Sequence, residues 1–350
     1  MGLIEYSGLT TKLRAMTGKL ITPDDYRNLS TLTEVSDFID YLSETNEYRD
    51  ILARYDNHSL HRDNMEQLFI LSEYNSFAKI YAFASARQRK FLDLYVIKYE
   101  VSMLKTVMRH FYNPDTTDVN ILLFRDFFLK FSNIDLKTLY DCQTFEEMID
   151  SLKGSRFYDT IIKVSELPSP TLFDYELHLD LYYFNQIWKK RAKYTKGKDL
   201  DILTNNYGQT IDLLNIRWIY RTKKYYHLTK EKVLELIIPV NYRMSNKKIT
   251  ELIQCDNAED FLSIIKATPY GRYLDVLESN SLEDLYNSIE NKINTMDCKR
   301  NPYSIAIIDY YFYKKEQEVK KLTFLLESIR YKLDHSYIEQ YFNSVGFHSD

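Results

Sequence analysis

The chain has 350 residues, 45% of them hydrophobic and 27% charged, with a formal net charge of −4. That length suits two average domains or one large one, and that apolar content allows a substantial core. The mildly acidic balance gives no support for nucleic-acid binding, and three cysteines cannot all pair, so no disulfide framework is expected.

Only 8 Gly and 7 Pro punctuate the sequence, which favours helices over strands and tight turns. Tyr is over-represented at 31 residues, a side chain that buries its ring while its hydroxyl stays wet or paired. No stretch approaches the roughly 18 apolar residues of a membrane span. The N-terminus, Met1-Gly-Leu-Ile-Glu5, shows no secretory signal, so cytoplasmic residence is the expectation.

In chain order, Thr22-Pro23-Asp24-Asp25 predicts a helix start, with Thr22 as N-cap, Pro23 at the first helical position and Asp25 completing a capping-box-like pair. That helix is expected to run to about Leu32, and Ser36 to cap a second short one through about Ser43. Neither Gly nor Pro occurs between Asp24 and Tyr112, and Asn64 to His110 reads as two long helices with no clear breaker over Ala78–Lys90. Short helices are expected near 136–152, a turn at Pro168 and Pro170, and long helices near 171–192 and 209–225. The run Lys189–Lys198 reads as a solvated helix end and loop; a surface for an anionic headgroup or acidic partner is the alternative. Further on, Thr268-Pro269-Tyr270-Gly271 marks a turn, and a break at Asn301-Pro302 precedes a long helix to about Leu333. No alternating strand pattern occurs, so the expected class is all-α.

The sequence says the same thing three times. With Leu29 set on Leu139 (an offset of 110) and on Leu252 (an offset of 223), Val35, Phe38, Ile39 and Leu42 meet Phe145, Met148, Ile149 and Leu152. They then meet Ala258, Phe261, Leu262 and Ile265. Glu66 and Glu176 each open an apolar stretch at the first offset, and Ser304–Phe312 is expected to be the third counterpart, displaced by an insertion. A later pattern recurs as well: Glu100, Asp212 and Glu318 are each followed by apolar residues at four and seven positions on, one helix face. Triplication predicts three similar helical units, over residues 1–120, 121–240 and 241–350, related by a pseudo-threefold axis. Cys142 and Cys255 share one repeat position with Leu32, which predicts small buried apolar groups rather than nucleophiles.

Signals for chemistry are few. No two glycines lie closer than six residues, which excludes glycine-rich phosphate cradles, and neither a Gly-x-Ser-x-Gly elbow nor His-Glu-x-x-His occurs. His58 and His61, with Asp63 nearby, fall short of the three or four ligands of a tight zinc site. Catalytic, cofactor and metal sites are therefore not expected.

Several stretches resemble one family, the central-stalk subunit of V-type rotary ATPases, called C in bacteria and archaea and d in eukaryotes. They are Arg14-Ala-Met with Leu20-Ile-Thr-Pro-Asp-Asp-Tyr26, Val35-Ser-Asp-Phe-Ile-Asp-Tyr-Leu42 leading to Thr45 and Tyr48, and Ile211-Asp-Leu-Leu-Asn-Ile216 with Arg221 and Lys223. Leu236-Ile-Ile-Pro-Val240 and Lys315-Glu-Gln-Glu-Val-Lys-Lys-Leu322 complete the set, which runs from about residue 5 to about 342. One departure is Lys321, where the family often has Asn. The resemblance implies a funnel-shaped helical protein on the cytoplasmic face of a membrane rotor (proteolipid) ring, receiving the end of the central shaft. Its partners would be the shaft subunits and that ring, with no cofactor and no nucleotide bound directly. Lys105, Arg109, Arg217, Arg221 and Lys321 are the candidates for lining the shaft socket; the plainer alternative is an exposed helix face. A helical-repeat adaptor for other partners is the competing reading of the whole chain, and an α-helical enzyme the third.

Overall fold

The computed structural model describes residues 2–54, 62–113, 120–226, 228–255, 257–276 and 282–344, and among these it contains helices and turns and no strand. The first helices are α1 (Gly2–Thr17), α2 (Pro23–Leu29), α3 (Val35–Glu44), α4 (Arg49–Leu52), α5 (Arg62–Phe83) and α6 (Ala86–Tyr112). Next come α7 (Arg125–Phe131), α8 (Leu136–Asp141), α9 (Phe145–Ser151), α10 (Tyr158–Ser165), α11 (Leu172–Tyr194) and α12 (Lys198–Arg221). The last are α13 (Lys230–Leu236), α14 (Asn246–Gln254), α15 (Ala258–Lys266), a 3-10 turn (Gly271–Val276), α16 (Leu282–Arg300), α17 (Ala306–Tyr331) and α18 (His335–Ser344).

One order of elements therefore recurs: a leading helix, two short helices, a further short helical segment, then two long helices. It appears as α1–α6, as α7–α12, and as α13–α17 with the 3-10 turn standing where α4 and α10 stand. We refer to these as the first, second and third copies.

The chain packs as two compact units, Met1–Leu179 with Ile307–Asp350, and Asp180–Ala306. In the first, both ends of the chain share one core. Leu29, Phe38, Leu42, Tyr48 and Phe69 of the first copy bury against Leu322, Leu325 and Leu326 of α17 and Phe342 of α18. A second cluster in that unit is aromatic: Tyr74 and Phe77 of α5 meet Tyr99 of α6 and Phe127 of α7, with centroids 4.6–5.5 Å apart. Such tilted and edge-on pairs add to the apolar burial. In the second unit, Ile216 and Ile219 of α12 pack with Leu252 of α14, Phe261 of α15 and Ile289 of α16.

Local chemistry explains several helix starts. Thr22 caps α2 in a capping box with Asp25, as its sequence predicts. Elsewhere the structure corrects the expectation. α2 stops at Leu29, short of Leu32, and α3 begins at Val35 behind Glu34, so Ser36 lies inside the first turn and caps nothing. The two long helices expected over 64–110 are present as α5 and α6, and they meet at Ser85, whose hydroxyl accepts from Gln88 N at 3.3 Å while Gln88 Oε1 accepts from Ser85 N at 2.9 Å. This is a second capping box, and it stops one helix and starts the next without Gly or Pro. Ser304–Phe312 is not the third counterpart of α5 and α11: it opens α17, and α16 holds that place in the order. Cys142 and Cys255 are half-buried rather than core. Each ends a short helix, α8 or α14, and its thiol donates to a preceding carbonyl, Thr138 O or Leu252 O, at 3.2 Å. His58 and His61 lie outside the described residues, as does the side chain of Asp63.

Helix α12 starts at Lys198, well before the expected 209, and carries Gly208 in its interior. A Cβ at Gly208 would sit 2.4 Å from Cγ of Tyr242, so the ring occupies the space a side chain would take. Gly208→Ala should therefore destabilise the protein although Ala is the better helix former by about 1 kcal/mol. Overpacking costs about 1–3 kcal/mol, and the clash involves the root of the ring rather than a flexible tip. A lower urea midpoint at unchanged m-value is the expected result.

Candidate functional site

An acid placed in register with the apolar face of a helix must be buried when the helix packs. Glu100 on α6, Asp212 on α12 and Glu318 on α17 are all in that register, and all are buried, at 2%, 0% and 2% exposure. Burying a carboxylate is costly unless its oxygens are hydrogen-bonded or paired. Each of the three has been answered.

Glu318 Oε2 accepts from the backbone N–H of Ile21 at 2.7 Å, and Oε1 from the Tyr48 hydroxyl at 2.8 Å and Lys315 Nζ at 2.6 Å. Lys315, with 0% exposure, also reaches Glu47 Oε1 at 3.0 Å. Burial works to lower its amine, but Glu318 and then Glu47 outweigh burial and hold it above its ordinary value. Burial, then the Glu318 charge, pushes the Tyr48 hydroxyl well above its ordinary value, so it stays a donor.

Asp212 is held by dipoles instead. Oδ1 accepts from Tyr242 N at 3.2 Å, and Oδ2 from Arg243 N at 2.7 Å, Met244 N at 3.1 Å and the Tyr270 hydroxyl at 2.8 Å. Burial pushes its carboxyl above the usual range against the pull of those four bonds. Glu100 Oε1 accepts from the Ser132 hydroxyl at 2.6 Å, and that hydroxyl accepts from Ile134 N at 3.0 Å. Arg156 Nε lies 3.4 Å from Glu100 Oε2.

The stretches that carry the family resemblance meet at these points. Ile21 belongs to the first, Tyr48 closes the second, and Lys315 and Glu318 sit in the last. Asn215, three residues after Asp212, clasps the Leu236–Val240 stretch: it donates to Ile238 O at 2.9 Å and accepts from Ile238 N at 2.8 Å.

The five candidate socket cations are placed as follows. In the first unit, Lys105 is half-buried on α6; Arg109, 55% exposed near the end of α6, pairs with Glu176 at 2.6 Å; Lys321 lies 5.2 Å from the Tyr26 ring centre. In the second unit, Arg217 stacks its guanidinium 4.6 Å over Tyr286, and Arg221 is exposed at the last residue of α12. Arg109 and Glu176 are thus brought together, as are Lys321 and Tyr26. Sequence reasoning named the three recurring acids as markers of a helix face and missed their bonds. The signal was present: an acid with apolar residues four and seven positions on lies on the buried side.

Among the described residues, no group of three or more His, Cys, Asp or Glu is placed to hold a metal, and no helix is long and apolar enough to cross a membrane. These features define, over the described residues, an all-helical protein whose buried polar groups join helices to one another. The chain belongs to the ATP synthase (C/AC39) subunit family, which it matches over residues 9–341. It is 22% identical to the C subunit of the A-type ATP synthase of Methanococcoides burtonii over 95% of this chain and 92% of that protein. The corresponding C subunit of Thermococcus kodakarensis is 23% identical over 97% and 91%, and that of Methanocaldococcus jannaschii 23% over 89% and 77%.

One further acid in the first unit titrates in an accessible range. Glu73 on α5 lies near Glu316, Lys98, Tyr99 and Lys315; burial first, then the Glu316 charge, pushes it up to about 7 from 4.5. The folded state then binds more protons than the unfolded one between those values, so this group makes stability fall as pH rises from about 4.5 to 7. Glu73→Gln should remove that decline. The variant is expected to melt above the wild type at pH 8 and close to it at pH 4.5, read by thermal unfolding across pH.

Proposed function

We propose that the chain is a non-catalytic central-stalk subunit of an A/V-type rotary ATPase, coupling the rotating shaft to the membrane rotor ring during ATP-driven proton or sodium transport or ATP synthesis. The observation that carries this is the family match along residues 9–341. The use of the buried charges supports it: Glu100, Asp212 and Glu318 are spent on holding helix layers rather than converging on a reactive centre. A coupler needs stiffness, which close-packed long helices give. Its partners are the shaft subunits and the proteolipid ring, and it works as a peripheral protein on the cytoplasmic side. Three similar bodies about a pseudo-threefold axis, forming a funnel, would present a socket to the shaft. Nucleotide and ion sites belong to other subunits.

Co-purification of the tagged chain with a membrane ATPase is the primary test, and its absence would end this reading. Arg109→Glu with Arg221→Glu tests the socket. Loss of the exposed Arg109–Glu176 pair should cost no more than about 1 kcal/mol, so circular dichroism should be unchanged. Charge on the socket side would set the register of the shaft, so ATP-driven transport should fall more than ATP hydrolysis by the soluble head. Unchanged transport would remove both arginines from the socket. Calorimetry of the isolated chain with Mg-ATP should show no saturable heat at micromolar ligand.

A further inference from the structure

The three buried acids do more than recur. Each holds the same two places in the next copy along the chain. The first place is the residue just before the cap of the first short helix: Ile21 before Thr22 of α2, Ile134 before Asp135 of α8, and Met244 before Ser245 of α14. Glu318 and Asp212 take that backbone N–H directly, at 2.7 and 3.1 Å, and Glu100 takes it through the Ser132 hydroxyl. The second place is the turn after the second short helix. Tyr48 and Tyr270 supply hydroxyls there, each to its own acid at 2.8 Å. The second copy has Phe157 in that turn, with no hydroxyl, and its neighbour Arg156 meets Glu100 Oε2 as an ion pair at 3.4 Å rather than through a hydrogen bond.

The direction is consistent. Glu100 of the first copy holds the second, and Asp212 of the second holds the third. Glu318 of the third reaches back across 297 residues of chain to hold the first. A carboxylate bonded at once to a cap and to a turn fixes a long helix against a short-helix layer in both shift and rotation. Close packing supplies stiffness, but the hydrophobic attraction behind it is non-directional, so the directional bonds are what select one shift and one rotation.

Resting on the coupler reading above, we infer that Glu100, Asp212 and Glu318 are the joints that pass torque from each long helix into the short-helix layer of the following copy. They are positioning residues: buried within the chain, they act through the helices they join. Without them the copies still pack, but they slip under load.

The test uses the full chain and the assembled ATPase with Glu100→Gln, Asp212→Asn and Glu318→Gln, each keeping side-chain shape while removing the charge. Hydrogen exchange on the full chain should quicken by at least about tenfold, the equivalent of losing one charged hydrogen bond. The faster segment should lie in the next copy: 132–157 for Glu100→Gln, 242–271 for Asp212→Asn and 20–52 for Glu318→Gln. Faster exchange confined to the helix bearing the substitution, or spread evenly, would overturn the joints. In assembled complexes well below the melting temperature, the variants should hydrolyse ATP at the wild-type rate but move fewer ions per ATP. Leu203→Ala, a core truncation on α12 compared at equal loss of melting temperature, should keep the wild-type ratio. An equal ratio in joint variants and control would overturn the torque role while leaving the joints in the fold. If a charge-removed variant does not fold, Tyr48→Phe and Tyr270→Phe carry the test, each expected to give the same pattern with a smaller loss. Failure of the wild-type chain to co-purify with an ATPase would sink the coupler reading alone, because the exchange result does not depend on it.

Discussion

A carboxylate with almost no surface in water must be answered where it stands, and this requirement organises the first unit around Glu318. Its two oxygens take a backbone amide, a tyrosine hydroxyl and a lysine, all sequestered. Removing one member of such a buried cluster strands the rest, a cost of about 3–5 kcal/mol. Because Ile21 and Tyr48 lie near one end of the chain and Lys315 and Glu318 near the other, neither end can settle alone. The shared core of Leu29, Phe38, Leu322 and Leu326 follows from the same closure.

Tyrosine suits this design better than phenylalanine or serine would. Tyr48 and Tyr270, both with 0% exposure, fill the space of a large apolar side chain and still bring a donor to an acid. Tyr95 does the same toward Asp309, at 2.5 Å. The abundance of tyrosine thus has a specific use here, carrying polar ends into layers too thin to exclude acids from the long helices.

The fold was legible where physics is local. Thr22 and Asp25 announce a capping box, Asn301-Pro302 a break, and the repeated apolar positions a repeated helix set. The two long helices over 64–110 were expected as well, and Ser85 and Gln88, with the motif spacing intact, mark where they meet although neither Gly nor Pro stands there. The helix expected from about 209 begins at Lys198, so Gly208 lies in its interior, and the ring of Tyr242, distant in sequence, fills the space a side chain there would take. Cys142 and Cys255 looked apolar because Leu32 shares their position, yet a thiol at a helix end also donates to a free carbonyl. The candidate cations were readable as charges but not by what they touch. The Arg109–Glu176 pair and the stack of Arg217 on Tyr286 depend on tertiary placement that no spacing encodes.

The three acids are answered with unequal strength, and the inequality follows the loop each must close. Glu100 and Asp212 reach partners about thirty residues away, Ser132 and Arg243 among them, whereas the Glu318–Ile21 bond spans 297 residues. Loop closure grows by about 0.6 kcal/mol for each doubling of length, and slightly more than three doublings separate these spans, so the last joint costs about 2 kcal/mol more to form. Hydrogen bonds to charged groups contribute about 1.5–3 kcal/mol, so one such bond offsets that difference. Glu318 alone of the three has a fully buried cation, Lys315, in addition to its amide and hydroxyl donors. Asp212, closing a short loop, relies on dipoles and has its carboxyl pushed upward by burial. The same geometric position has therefore diverged in chemistry, with a fully buried cation where the chain must bring its ends together, and neutral donors at Asp212 or a surface arginine at Glu100 where the partners are already close.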